Sequence, residues 1–480
     1  MQPPRRRVLR LSMFFRRSPQ LEVEPAHRAL AEGRYEVALS LLEGATRRQR
    51  RRSSQAQLKL FLAATYALSG TQGLEGGTRK LREAAAADAD IAHHPLYRAL
   101  YWEFAAYRGD AATDVRKGAL AAAASGDPFA VYHAACALVA IRAFRRATRL
   151  LQKLDPLALP DYLRWRYWSL LGRSFDAVER PDEALDAFCR AVALAPPGER
   201  HRERLNLASS LLELDRADEA LHELQRVDEG ALEPAERTLH LFLQGRAHLL
   251  AGNPNRALEL LKRASALEAA SAPPSYTLKL TLAQCYGTLK DYAQAASLYF
   301  EAIELAPKRQ RTWTLHECAL LLLEADRLSN ARELLWEALK SDGYAYRAEL
   351  YADLAEVEYK LANLTEASEY ARRALDLGAV VSACLTLGSV AYEYYHLDEA
   401  ATWFEKAAAA SHEGETDWLH AQEMLADIFV QQGYSVPERV VFHAEQALKY
   451  LHPSDEWALI LREYAAHARS LLGGHARPLN

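Results

Sequence analysis

The sequence predicts an all-α fold built from repeated pairs of helices. A phrase recurs roughly every 36 residues: a short polar turn, an alanine a few residues later, a bulky residue and a second alanine. Half of the 480 residues are apolar and a quarter are charged, and alanine and leucine dominate over β-branched residues, which is a helical composition. Because one helix pair cannot bury its apolar face alone, we expect the pairs to stack on one another.

The clearest copy of the phrase lies between residues 165 and 196. Its large, small and aromatic side chains are Trp168, Leu171, Gly172, Phe175, Ala184, Phe188 and Ala191, followed by Pro196. Related phrases end at Ala220, Ala257, Ala295, Ala331, Ala367 and Ala400. The small residues allow neighbouring helices to approach closely, and the large ones fill the space between the backbones.

Aligned on the two alanines, the chain divides into twelve units of helix, turn and helix. They begin near residues 19, 56, 93, 128, 165, 201, 238, 276, 312, 348, 381 and 419. Turn-forming residues separate the two helices of a unit at 180–182, 252–254, 290–291 and 362–363. Residues 454–472 have the pattern of one more amphipathic helix, which we expect to cover the last unit.

This pattern resembles the tetratricopeptide repeat. Besides the copy quoted above, the unit from Tyr276 supplies Leu282, Ala283, Tyr286, Ala295, Tyr299, Ala302 and Pro307. The unit from Val381 supplies Leu387, Gly388, Ala400, Phe404 and Ala407. The resemblance implies a right-handed α-solenoid superhelix of about twelve helix-turn-helix repeats with a C-terminal capping helix.

We therefore divide the chain into five segments. They are a basic N-terminal segment expected to be disordered (1–18), divergent repeats (19–160), a well-matched array (161–453), a capping helix (454–473) and a tail (474–480). Met13 is an alternative start that would remove four arginines.

The charge is unevenly distributed. Residues 1–52 contain thirteen arginines and five acids; since the whole chain carries −4 and this part +8, the remainder carries −12. The anion-binding candidates are Arg5, Arg6, Arg7, Arg10, Arg16 and Arg17, and a second cluster is Arg47, Arg48, Arg50, Arg51 and Arg52. Such a block is able to meet phosphate, an acidic protein surface or an anionic membrane. The alternative is a solvated tail.

No pattern in the sequence indicates catalysis or a cofactor. The five cysteines are far apart and form no CxxC pair, and His93 next to His94 before Pro95 reads as a helix entry rather than a metal site. P-loop, HExxH and GxSxG motifs are missing. We expect a non-enzymatic protein with neither metal nor cofactor.

No apolar run approaches the roughly 18 residues that span a bilayer, so we expect a cytoplasmic location. The excess of arginine over lysine suggests a bacterial origin.

In the tetratricopeptide repeat family the first helices of the units line a concave face. Carried over to this sequence, that rule gives a basic middle part of the groove with Arg166, Arg173, Arg202 and Arg246. Toward the C-terminus it gives an acidic part with Glu349, Glu356, Tyr359, Tyr392, Glu393, Glu423 and Asp427, and Trp313 and His316 lie near the changeover. The alternative is that these are ordinary solvated side chains.

These observations predict a scaffold or adaptor that binds extended peptide segments of a protein partner in its groove. Association with nucleic acid through the arginine-rich N-terminus is the alternative function. Self-association through exposed apolar faces stays open as well.

Overall fold

The computed structural model describes residues 23–474, and within that range it is all-α, with 25 α-helices, four short 3₁₀ turns and no strand. Contacts within the chain divide it after Pro273 into an N-terminal unit and a C-terminal unit. The six arginines from Arg5 to Arg17 lie outside the described residues, as does most of the predicted tail. The predicted division at residue 160 does not coincide with this boundary, and the segment boundaries stay predictions.

The N-terminal unit contains seven consecutive helix pairs, which we number from pair 1 to pair 7. Their helices are α1 (Glu24–Ala31), α2 (Tyr35–Arg48), α3 (Arg52–Ala67), α4 (Leu74–Ala87), α5 (Pro95–Arg108), α6 (Ala112–Ala123), α7 (Pro128–Ala140), α8 (Phe144–Leu151), α9 (Asp161–Asp176), α10 (Pro181–Leu194), α11 (Pro197–Glu213), α12 (Ala217–Gln225), α13 (Pro234–Leu250) and α14 (Pro254–Ser271).

The C-terminal unit contains pairs 8 to 12 and one final helix. Its helices are α15 (Tyr276–Thr288), α16 (Tyr292–Leu305), α17 (Lys308–Glu324), α18 (Leu328–Leu339), α19 (Arg347–Lys360), α20 (Leu364–Asp376), α21 (Val380–Glu393), α22 (Leu397–Ala410), α23 (Thr416–Gln431), α24 (Pro437–Leu448) and α25 (Glu456–Gly474). Leu461 and Ala465 of α25 are buried against α24. The prediction of about twelve pairs and a capping helix is thus confirmed over residues 23–474.

The register of the repeat is confirmed by the alanines that define it. Every one of them is fully buried: Ala184, Ala220, Ala257, Ala295, Ala331, Ala367 and Ala400. Gly172 shows why the neighbouring position is small, since a Cβ added there would lie 2.7 Å from the Phe188 ring. The two helices of this pair can therefore approach closely only because Gly172 has no side chain.

The turn inside each pair is built in a recurring way. Between the two helices of each pair, at least one residue has a left-handed backbone conformation: Gly33, Gly70, Gly109, Arg142, Glu179, Asp215, Gly252, Lys290, Asp326, Ala362, Tyr395 and, in pair 12, both Gly433 and Tyr434. In pair 8, the N–H of Asp291 donates to the carbonyl of Tyr286 at 2.9 Å, and the N–H of Lys290 donates to Gly287 at 2.8 Å. These bonds satisfy carbonyls that the end of the first helix leaves without an intrahelical partner.

Pair 1 also contacts pair 5, far from it in sequence. The ring of His27 in α1 lies 5.5 Å from that of Tyr162 in α9. The Arg166 guanidinium in α9 donates from Nη2 to the Tyr35 hydroxyl at 2.5 Å and from Nη1 to the Leu68 carbonyl at 3.0 Å. In an array where each repeat touches only its neighbours, such a contact is not expected. Pair 1 is therefore fixed on two sides.

Candidate functional site

The candidate site lies on the first helices of pairs 10, 11 and 12, which are α19, α21 and α23. They line a cavity of about 300 Å³ in the C-terminal unit. Its polar lining residues, which we call the acidic face, are Asp353, Glu356, Tyr359, Lys360, Ser382, Thr386, Ser389, Asp417 and His420. Three carboxylates face one lysine, so the cavity has a net negative charge.

Helical spacing explains why these side chains converge. Asp353, Glu356 and Lys360 recur at intervals of three and four along α19, so they occupy one face of it. Asp417 and His420 in α23 have the same spacing. The Lys360 ammonium lies 2.8 Å from Glu356 Oε1, whereas the Asp417 side chain on α23 is exposed.

Hydrogen bonds between successive first helices hold this face in place. His316 Nε2 lies 2.5 Å from Asp353 Oδ2, which joins α17 to α19. The Tyr359 hydroxyl donates to Glu393 at 3.2 Å, which joins α19 to α21. These contacts cross between successive pairs, so they help to fix the spacing of the helices that line the cavity.

Asp427 is the last link of this series. It accepts a hydrogen bond from the Tyr392 hydroxyl at 2.5 Å and a second from the Tyr464 hydroxyl of α25 at 2.8 Å. Burial and the neighbouring carboxylate raise the pKa of Tyr464 to about 12, so its hydroxyl stays protonated and donates. The final helix therefore extends the polar series of the groove as well as covering the apolar core.

The structure places two of the residues predicted for the acidic part of the groove in the cavity, and two more form hydrogen bonds between first helices. Glu356 and Tyr359 line the cavity, and Glu393 and Asp427 hold hydrogen bonds beside it. Of the other predicted residues in this unit, Glu349 is exposed, Trp313 and Tyr392 are half-buried, and His316 and Glu423 are buried. Whether these residues bind a peptide stays a prediction.

The sequence interpretation missed seven of the nine residues of the acidic face: Asp353, Lys360, Ser382, Thr386, Ser389, Asp417 and His420. The signal was present, because Asp353 and Lys360 extend the three-and-four spacing that passes through the predicted Glu356. Asp417 lies before residue 419, where the repeat was taken to begin, although α23 begins at Thr416.

The predicted basic part of the groove lies in the N-terminal unit, where most of its charge is paired. Arg202 lies 2.6 Å from Glu236, and Arg246 lies 2.6 Å from Glu213. Arg166 is held by Tyr35 and Leu68 as described above. Arg173 is exposed and has no ion pair within residues 23–474. Arg202 and Arg246 thus join the neighbouring pairs 6 and 7, whereas Arg166 joins pair 5 to pairs 1 and 2.

Beside Arg173, pairs 2 to 5 enclose a second cavity of about 270 Å³. Glu103 and His133 form a buried pair there, with His133 Nδ1 at 2.7 Å from Glu103 Oε2, and the Tyr107 hydroxyl donates to Glu103 Oε1 at 3.0 Å. Burial raises the pKa of the Cys136 thiol well above its usual range, so Cys136 stays protonated and is a poor nucleophile. Glu103, Tyr107 and His133 thus form a hydrogen-bonded polar network inside the N-terminal unit.

Within residues 23–474, no group of three or more His, Cys, Asp or Glu side chains is arranged to hold a metal ion. None of the helices described has the length and the apolar character that crossing a membrane requires.

Stacked helix pairs with small residues at their contacts define a helical-repeat protein, a class that presents extended binding surfaces. The family model of the tetratricopeptide repeat matches residues 276–309, which correspond to pair 8. The chain therefore contains a tetratricopeptide repeat, and the family recognised from the sequence is confirmed at these residues.

Solved structures resemble the chain only distantly. PilF from Pseudomonas aeruginosa shares 19% identity over 49% of this chain and 99% of its own, with a TM-score of 0.39. The APC/C hetero-tetramer Cut9-Hcn1 shares 14% identity over 95% of this chain and 97% of its own, with a TM-score of 0.42. The apo form of the quorum sensor NprR from B. thuringiensis shares 14% identity over 62% of this chain and 97% of its own, with a TM-score of 0.46. All three TM-scores are below 0.5. In the comparison with curated proteins, no sequence matches this chain.

Proposed function

We propose that this chain is a non-enzymatic, cytoplasmic interaction protein whose C-terminal unit binds an extended, positively charged peptide segment of a protein partner. The observation that carries the proposal is the acidic face, with its cavity of about 300 Å³ on three successive first helices. Helical-repeat proteins use such continuous inner surfaces to hold extended segments.

The chemistry of the acidic face favours a basic side chain as the group that enters the cavity. Asp353, Glu356 and Asp417 supply carboxylate acceptors, and Ser382 and Ser389 supply hydroxyls from the helix between them. The Tyr359 ring is half-buried and offers an aromatic surface for the methylene groups or the cation of a lysine or arginine. An acidic peptide would meet like charges, which disfavours it.

A peptide pocket requires rigid walls, and the contacts around the cavity provide them. Tyr359 is held by its bond to Glu393, and Asp353 is held by buried His316. Such preorganisation lowers the entropic cost of binding, because fewer side chains have to be immobilised when the peptide arrives.

The test uses fluorescent peptides of about twelve residues that share their apolar positions and differ only in charge: basic, neutral and acidic. We expect the basic peptide to bind most tightly and its affinity to fall with salt. The double variant Glu356→Gln with Asp417→Asn removes two carboxylates and should weaken binding by about 5- to 10-fold.

The matched control is Glu366→Gln with Asp376→Asn, which removes two exposed carboxylates from α20, the second helix of pair 10. It should bind as the unmodified protein does. Equal binding of the acidic and basic peptides, or equal losses in the two double variants, would overturn the proposal.

A further inference from the structure

A strongly charged surface lies at the junction of pairs 1 and 2, in the N-terminal unit. Helix α2 ends at Arg48 and helix α3 begins at Arg52, so only three residues separate them. Five of the six residues across this junction are arginines with exposed side chains: Arg47, Arg48, Arg50, Arg51 and Arg52. We call them the arginine turn.

Three arginines of this cluster have no acidic partner among the described residues. Arg50, Arg51 and Arg52 have no ion pair within residues 23–474, and Arg47 reaches Glu43 only at 3.9 Å. The like charges of Arg50, Arg51 and Arg52 repel one another, and an anion held between them would relieve this repulsion.

The position of the arginines at the start of a helix adds to the unfavourable electrostatic energy. Arg51 is the N-cap residue of α3 and Arg52 its first residue, and the first turn of that helix has no acidic side chain. The N-terminus of a helix carries partial positive charge, so cations there are unfavourable while anions are stabilised. The N-terminus of α3 would therefore attract the same anion that the arginines bind.

A recess of about 270 Å³ lies beside the arginine turn. It is lined by Arg47, Thr46, Gln55, Lys59 and Lys80, together with Glu43 and Glu83. Lys80 lies 3.3 Å from Glu43, and Lys59 lies 3.9 Å from Glu83, so each of the two acids has a lysine partner. The two lysines and the two glutamates of the recess therefore balance in charge. The arginines add positive charge to them, so the surface as a whole is cationic.

From this arrangement we propose that the arginine turn and its recess bind the phosphate backbone of a nucleic acid, independently of the peptide-binding function. Arginine forms two parallel hydrogen bonds to phosphate, and residues 1–52 contain thirteen arginines and no lysine. The concave recess fits a phosphate that projects from a strand better than it fits the plane of a lipid surface. The turn contacts phosphates without reading base sequence.

The experiment measures fluorescence anisotropy of a labelled DNA duplex of about 30 base pairs, titrated with the full chain at several salt concentrations. The variant is Arg50→Gln with Arg51→Gln and Arg52→Gln. We expect it to bind at least 10-fold more weakly than the unmodified chain at low salt. The slope of log affinity against log salt should fall by about three, because three phosphate contacts are lost.

The matched control is Arg145→Gln with Arg146→Gln and Arg149→Gln, which removes the same charge from exposed positions of α8. It should retain the affinity and the slope. A second variant that lacks residues 1–18 should still lose affinity when the three substitutions in the arginine turn are added.

Three results would overturn the proposal. They are no binding of the duplex at about 50 mM salt, equal losses in the two triple variants, and binding that depends only on residues 1–18.

The same titration with vesicles containing phosphatidylserine tests the lipid alternative. If the arginine turn were required for vesicles and not for DNA, the surface would be a membrane-binding one. Peptide binding at the acidic face is measured with different variants, so either function can fail alone.

Discussion

The hydroxyl of Tyr392 donates a hydrogen bond to Asp427 at 2.5 Å, and this bond joins the first helices of pairs 11 and 12. The same carboxylate accepts a bond from Tyr464 in the final helix. Since Asp427 is buried, it depends on these two donors to replace the water that it loses on folding. The polar series of the groove therefore contributes to the stability of the C-terminal end as well as to its surface.

The first prediction concerns this bond. Tyr392→Phe removes the donor, keeps the ring and leaves Asp427 with one partner, so it should lower the free energy of unfolding by about 1–2 kcal/mol. Urea unfolding of the full chain measures the loss. Tyr395→Phe is the control, since Tyr395 is 68% exposed and should be neutral. Equal effects of the two substitutions would show that the Tyr392 bond contributes nothing.

The second prediction concerns Glu358, which takes a position where other repeats have an aromatic residue. Its buried carboxylate accepts a bond from Asn363 Nδ2 at 2.6 Å and lies 3.7 Å from Arg332. Glu358→Ala would leave the half-buried Arg332 and Asn363 without this partner, so we expect a loss of about 3 kcal/mol. Glu358→Gln keeps an acceptor and should lose less.

Chemical denaturation of both Glu358 variants measures this difference. Glu366→Ala on the exposed side of α20 is the control and should stay within about 0.5 kcal/mol of the unmodified protein. If Glu358→Ala were as stable as that control, the carboxylate would not be part of the packing between pairs 9 and 10.

The third prediction uses the turn of pair 10. Ala362 has φ +60°, a left-handed conformation that costs an L-residue about 1–2 kcal/mol. Ala362→Gly relieves this cost and adds about 0.5–1 kcal/mol of backbone entropy to the unfolded chain, so the net effect should be a gain of up to about 1 kcal/mol. Ala466→Gly, in an exposed helical position of α25, should instead destabilise by about 1 kcal/mol. A thermal melt in which both variants lose stability would contradict the turn geometry.

The fold was predictable because it follows from a sequence pattern that recurs at a regular interval. Small residues such as Ala295 and large residues such as Phe188 recur at spacings that only stacked helix pairs satisfy, so counting the pattern gave the number of pairs. The contact of Arg166 with Tyr35 was not predictable. It joins residues 131 positions apart and depends on the curvature that accumulates over four pairs, which no local spacing encodes.

The acidic face was predictable in part for the same reason. Glu356 and Tyr359 follow from the register of the first helices, whereas Asp417 requires knowing where α23 begins. Helix ends depend on local capping and turns as well as on the period, so they are harder to locate from the sequence than the helix centres are.

The last prediction concerns acid sensitivity at His443 in α24. Its Nδ1 lies 2.7 Å from the Gln422 side-chain oxygen, and its ring stacks on Phe429. Burial, with a smaller contribution from Arg439, lowers the pKa of His443 to about 4. In the unfolded chain a histidine has a pKa of about 6.5, so between those values the unfolded state binds a proton that the folded state does not. The free energy of unfolding should therefore fall as the pH decreases from about 6.5 to about 4, by up to about 3 kcal/mol from this residue.

His443→Asn isolates this contribution, because the asparagine amide nitrogen takes the place of Nδ1 and donates to Gln422 without titrating. Urea unfolding at a series of pH values should show a smaller decrease for His443→Asn than for the unmodified chain, whatever its stability at neutral pH. His412→Asn is the control, since His412 is exposed, and it should retain the full decrease. If His443→Asn kept the full decrease as well, other groups would be responsible for the acid sensitivity. His443 would then have to be protonated within the folded structure, which contradicts its burial against α23.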